Sequence, residues 1–171
     1  MQTSRFLLCF LFLSATAVAQ EISDADKALI QKIQEAGGQA MPLAKNDARL
    51  TVAFHLSDKD VTDDTLALLK DAASIHSLNL RGTKVTDAGL AHLAGLKGLT
   101  RLHLEKTAVT DAGLAHLASL PALEYLNLYE TKVTDAGLPH ISGIKTLRRL
   151  FVWQSGITEA GEETQIGRAH V

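Results

Sequence analysis

The chain is poor in several residue types, and each shortage closes off a class of function. It has one cysteine among 171 residues, Cys9, set inside the apolar run of residues 6–13. Beyond that run there is no thiol, which excludes a disulfide framework, a cysteine nucleophile and a Cys-x-x-Cys-His haem attachment site. Aromatic residues make up only 5% of the chain, so leucine, valine and alanine must fill the core. Neither sign of charge dominates: 17 Lys and Arg stand against 19 Asp and Glu, a formal net charge of −2. That balance gives no footprint for nucleic acid or for an anionic membrane surface.

The N-terminus reads as an export signal over residues 1–19. Arg5 supplies the positive charge, residues 6–13 the apolar stretch, and Ala17-Val18-Ala19 a cleavage site before Gln20. A membrane anchor is the competing reading, but this apolar run is too short to span a bilayer. The expectation is a secreted or periplasmic protein with no membrane insertion after signal removal, acting as a monomer. Removing Arg5 with the signal leaves 16 basic against 19 acidic residues.

What the chain has in abundance is repetition. Val85-Thr86-Asp87-Ala88-Gly89-Leu90 returns unchanged at residues 109–114 and again at 133–138, a period of 24. Degraded copies stand at 61–66 and 157–161. Before each copy runs Ile75-x-x-Leu78-x-Leu80-x-x-Thr83-x-Val85, repeated through Leu99/Leu102/Leu104/Thr107/Val109 and Leu123/Leu126/Leu128/Thr131/Val133. This is a leucine-rich repeat pattern. Its apolar spacing changes within each unit from 2 to about 3.6, as a strand followed by a helix requires. The expected fold is an α/β leucine-rich repeat solenoid, with a parallel concave sheet and short convex helices, over about five repeats in residues 49–164.

Residues 20–48 read as an N-terminal capping helix and linker. The helix starts at Ser23-Asp24, places Ile22, Leu29, Ile30 and Ile33 on one face, and ends at Gly37-Gly38. Such a helix would cover the apolar end of the stack; a separate interaction helix is the alternative. Met41-Pro42 reads as a break, and the first strand is expected over 50–56, with Thr51 in the slot of Ile75, Leu99, Leu123 and Leu147.

Three further expectations concern the repeated polar residues. Thr83, Thr107, Thr131 and Ser155 should satisfy backbone groups at the bend after each strand. Thr86 should cap a helix with Asp87 in its first turn. Gly89, Gly113 and Gly137 are costly within helices and should let each first turn pack close to its neighbour.

The Val-Thr-Asp-Ala-Gly-Leu copies, preceded by Leu-x-Leu-x-x-Thr, resemble the ribonuclease-inhibitor-like leucine-rich repeats. More narrowly they are similar to the 24-residue, threonine-bearing form common in secreted proteins of planctomycete-type bacteria. The resemblance covers about residues 50–161 and implies a binding scaffold. Some relatives carry haem modules beside the repeats; none is recognisable in this sequence. The pattern is also similar to repeats of F-box ubiquitin-ligase adaptors, though no F-box segment is found. Residues 165–171 match what a common sequencing-library adapter encodes in one reading frame, so this tail is expected to be non-native. The register agrees, because Glu162, Gln165 and Arg168 stand where Leu138, Ile141 and Ile144 should recur.

Alternation along the strands lists the residues expected on the concave side. One column is Ala53, Ser77, Arg101, Tyr125, Arg149; the next is His55, Asn79, His103, Asn127, Phe151; the third is Ser57, Arg81, Glu105, Tyr129, Trp153. Both tyrosines and the one tryptophan fall here. The candidate protein-binding residues are therefore Arg101, His103, Glu105, Tyr125, Tyr129, Arg149, Phe151 and Trp153, aromatic and arginine-rich as interface hot spots are. The plainer alternative is that Phe151 and Trp153 close the last strand.

No catalytic residue, cofactor site or metal site is expected. His92, His116 and His140 recur on successive helices, whose axes lie about 8–10 Å apart, too far for shared zinc bonds of about 2.1 Å. No phosphate-cradling loop, nucleophile elbow or His-Glu-x-x-His motif is present. The sequence thus points to a non-enzymatic scaffold whose partner is another protein, rather than nucleic acid. The alternative is an accessory repeat fragment of a larger protein whose functional module, for example a haem domain, is missing.

Overall fold

The computed structural model describes residues 22–161. The expected export signal and adapter-like tail lie outside the described residues. The first element is α1 (Asp24–Glu35), started by Ser23, whose hydroxyl accepts a hydrogen bond from the Asp26 N–H. That bond satisfies one of the free donors at a helix start. The helix stops where Gly37 takes φ +86°, a conformation glycine reaches without strain. Gly38 follows in a place with no room for a side chain, since a Cβ there would press on the Phe54 ring and Ile33. The close approach seats α1 on the first coil, with Ile33 fully buried and Leu29 and Ile30 packed beside it. Lys59 Nζ donates to the Glu35 carbonyl and Ser74 Oγ to Asp26 Oδ1, each at 2.5 Å. Both ends of the helix are thereby fastened to the repeats.

Residues expected to be a linker form β1 (Gln39–Ala44), which pairs antiparallel with β2 (Asp47–Ala53). Pro42 is no barrier there, because proline is tolerated in an edge strand. From β2 onward every pairing is parallel, through β3 (Ile75–Asn79), β4 (Arg101–His103), β5 (Tyr125–Asn127) and β6 (Arg149–Phe151), in simple sequential order. Short helices return the chain: α2 (Asp63–Ala67), α3 (Asp87–Ala91), α4 (Asp111–Leu117) and α5 (Leu138–Ser142), with 3₁₀ turns at His92–Gly95 and Asp135–Gly137. This is a leucine-rich repeat solenoid.

The core is the stack of repeat leucines. Leu78, Leu102 and Leu126 are fully buried, as are Leu80, Leu104 and Leu128. On the helix side Leu66, Leu90 and Leu114 close the same space, with the valines 85, 109 and 133 at the bends. Each buried leucine is worth roughly 1.5–3 kcal/mol of transfer free energy, and each lies against its copy in the next coil. Phe54 is the one aromatic side chain among the buried hydrophobics.

The first coil departs from the expected register. Thr51, rather than Ala53, pairs with Ser77, and Ala53 pairs with Asn79. Leu50 therefore holds the slot assigned to Thr51, and it pairs with Ile75 across a bulge. The cause is chain length: Phe54 and Val61 are seven positions apart, whereas Leu80 and Val85 are five apart. Two extra residues in that bend shift residues 51–53 by two positions, and the bulge after Leu50 takes back one of them. From β3 to β6 the expected register holds throughout.

The repeated hexapeptide links coils rather than merely starting helices. Asp87 Oδ1 accepts from the Thr110 N–H at 2.8 Å, and its Oδ2 accepts from the Thr110 hydroxyl at 2.6 Å. The same two bonds join Asp63 to Thr86, Asp111 to Thr134 and Asp135 to Thr158. Thr86 makes no side-chain cap to its own helix, whereas Thr110 and Thr134 do both, accepting weakly from Ala112 and Ala136. The glycine makes this possible. A Cβ on Gly137 would lie 2.5 Å from Asp111 Oδ1 and 2.8 Å from Leu114 Cδ1, and Gly89, Gly113 and Gly161 face the preceding aspartate in the same way. The expected close packing is what these glycines provide, and the carboxylate is what occupies the space.

The hydroxyls after each strand serve as expected. Thr83, Thr107 and Thr131 donate to the carbonyls of Leu80, Leu104 and Leu128 at 2.7–2.8 Å, and Ser155 donates to Val152.

Candidate functional site

Clamped coils in a fixed register turn the three columns into a grid. Its rows are Arg101, His103, Glu105; then Tyr125, Asn127, Tyr129; then Arg149, Phe151, Trp153. Neighbouring strands in a sheet lie about 4.8 Å apart, and the pairings 101↔125↔149 and 103↔127↔151 set the rows side by side. The third column continues past the strands. Gly82, Lys106 and Glu130 donate their N–H groups to the carbonyls of Glu105, Tyr129 and Trp153 at 2.8–3.2 Å. To do so they adopt positive φ, at 71°, 57° and 56°. Such a backbone costs about 1–2 kcal/mol for a residue with a side chain, and only Gly82 escapes it.

The structure brings all eight candidate residues together on one face. The His103 and Tyr125 rings are 4.8 Å apart, Tyr125 and Phe151 5.3 Å, and Tyr129 and Trp153 5.5 Å in a nearly parallel stack at 19°. The Arg101 guanidinium lies 4.9 Å from the Tyr125 centroid. Aromatic contacts of this kind add about 0.5–1.5 kcal/mol each beyond buried area. They hold the rings in place without covering them: Phe151 is 39% exposed and Trp153 69%. Arg101 and Arg149 are exposed beside them.

Glu105 differs from the other seven in being 7% exposed. Its Oε1 lies 2.9 Å from His103 Nδ1 and accepts from Asn127 Nδ2 at 2.7 Å. Asn127 Oδ1 in turn accepts from the Tyr129 N–H at 3.0 Å. Asn127, at the centre of the grid, is thus the residue that ties Glu105 to the aromatic rows. Sequence reasoning placed it in a column but gave it no role. Lys106 was also missed; its Nζ sits 5.9 Å from the Tyr129 centroid and 3.2 Å from Glu130. The signal for both was position, one at the middle of the grid and one directly after its third column.

No three histidine, cysteine or acidic side chains gather as a metal site among the described residues. His116 and His140 point to solvent and His92 is half-buried. No helix among the described residues is long and apolar enough to cross a membrane.

Comparison with known proteins agrees with this architecture. A family model described as "Leucine Rich repeat" matches residues 72–94. No curated protein matches the chain. Among solved structures, the actin-binding site 2 of leiomodin-1 is similar in fold, with TM-score 0.55 and 15% identity over 85% of this chain and 87% of that one. An internalin from Listeria monocytogenes aligns at 21% identity over 61% of this chain and 36% of that one, with TM-score 0.43. The 24-residue period, the stacked coils and the match over residues 72–94 together show a leucine-rich-repeat solenoid fold.

Proposed function

We propose that this protein is an exported, non-enzymatic scaffold that binds another protein on its concave face. The observation that carries the reading is the grid of rows 101–105, 125–129 and 149–153. It combines the exposed Phe151 and Trp153 rings, held by contact with the half-buried Tyr125 and Tyr129, with exposed arginines on one sheet. Rigid aromatic side chains lose little entropy on binding, and with arginine they dominate interface energetics. Leiomodin-1, which shares the fold, is described as actin-binding over the similar segment, in keeping with repeats used for protein contact. The N-terminal sequence of residues 1–19 supports a secreted or periplasmic setting.

The test is affinity capture from the exported fraction with the full chain as bait, repeated with Trp153→Ala and Tyr129→Ala. Both variants should keep the parent's melting temperature within a few degrees and lose the captured partner by at least tenfold. A partner captured equally well by both variants would move the site off this face.

A further inference from the structure

The concave face holds a buried carboxylate with one oxygen that has no hydrogen-bond partner among the described residues. Glu105 Oε2 is buried and has no hydrogen-bond partner, while Oε1 takes both available donors, His103 and Asn127. A buried carboxylate oxygen left unpaired costs roughly 1–3 kcal/mol or more, and proteins rarely keep such a group without a use. The nearby cations do not reach it. Arg101 is engaged over the Tyr125 ring at the opposite column, and Lys106 pairs with Glu130.

We infer that Glu105 is the specificity element of this surface, and that it receives a basic side chain, arginine or lysine, from the bound protein. The inference rests on the concave face being the binding face and adds the chemistry of what binds there. A guanidinium or ammonium would supply the donor that Oε2 lacks. Tyr129, beside Glu105 in its column, and Trp153, stacked on Tyr129, would flank the aliphatic stem and exclude water, where a charged hydrogen bond is strongest. Entry requires neighbouring side chains to shift, as rotamers at interfaces commonly do on binding.

The experiment selects a displayed random-peptide library on the full chain, and then measures the enriched peptides by the emission of Trp153, the single tryptophan. The expected peptides share one arginine or lysine, and replacing it with citrulline or norleucine weakens binding at least tenfold. With Glu105→Gln that tenfold preference disappears, while the variant melts at or above the parent's temperature because a buried charge has gone. Should the variant fail to fold, the citrulline comparison on the parent chain still decides. Peptides enriched without a shared basic residue, yet dependent on Trp153, overturn this inference and leave the scaffold reading standing. A library that yields no binder overturns both.

Discussion

Replacing Gly113 with alanine should destabilise the protein, although the same change in an ordinary helix stabilises it. Alanine gains about 1 kcal/mol over glycine inside a helix. Here the new Cβ would collide with Asp87 Oδ1, come to 3.1 Å from Asp87 Cγ and meet Leu90 Cδ1 at 3.0 Å. The leucine methyl can rotate aside, but the carboxylate is held by two hydrogen bonds from Thr110. A hydrogen bond to a charged group contributes about 1.5–3 kcal/mol when buried, and partial exposure here reduces the pair to about 2–4 kcal/mol in total. Displacing Asp87 therefore outweighs the helix gain, and the net cost is about 1–3 kcal/mol. In a domain of this size that lowers the melting temperature by roughly 2–4 °C per kcal/mol. The decisive assay is a double-mutant cycle with Asp87→Ala, followed by thermal and urea melts. Once Asp87 is gone, Gly113→Ala should become neutral or stabilising by up to ~1 kcal/mol. A Gly113→Ala protein as stable as its parent would refute the clamp, as would an equal cost in both backgrounds.

Other outcomes follow from the same contacts. Thr107→Val keeps the shape of a buried residue but strips the Leu104 carbonyl of its donor; urea melts should show a loss of about 1–3 kcal/mol, with Thr107→Ser close to the parent. Gly38→Ala should loosen α1 from Phe54, and hydrogen exchange should then report faster opening of residues 24–35 while β4 to β6 stay protected. His76 has its pKa held below the ordinary histidine value, first by burial and then by the Arg49 guanidinium. The unfolded chain takes up that proton near pH 6.5 and the folded chain only at lower pH, so stability should fall as pH drops below about 6.5. In His76→Asn the difference in unfolding free energy between pH 7 and pH 5.5 should shrink; an unchanged difference would remove His76 from the account.

The parts of this structure legible in the sequence are those where the spacing stayed at 24. Between Ile75 and Trp153 the period alone places every strand residue in its column, because each coil has the same number of residues. The reading failed upstream, where two extra residues before Val61 moved Thr51 and Ala53 along by one pleat repeat. It also missed β1, since Pro42 marks a break by local rules and only the tertiary position at a sheet edge makes it acceptable. The aspartates carried a signal that local reasoning misassigned. Local rules satisfy a first-turn carboxylate at its own helix end, whereas Asp87 faces Thr110 and Gly113 of the next coil. The partner lies 23 residues away, in the next coil. At the site, the columns showed which residues share a face, but the burial of Glu105 depends on where His103 and Asn127 turn their side chains, which periodicity does not encode.

Identical coils stacked in register are what build the inner wall. Methyl and aromatic nuclear Overhauser contacts in the full chain, with leucine methyls labelled, test it directly. Stacking in register gives an unbroken series from Leu78 to Leu102 to Leu126 to Leu150, together with cross-peaks between the Tyr129 and Trp153 rings. Leucine methyls that contact only their own repeat, or a Trp153 ring with no Tyr129 neighbour, would contradict it.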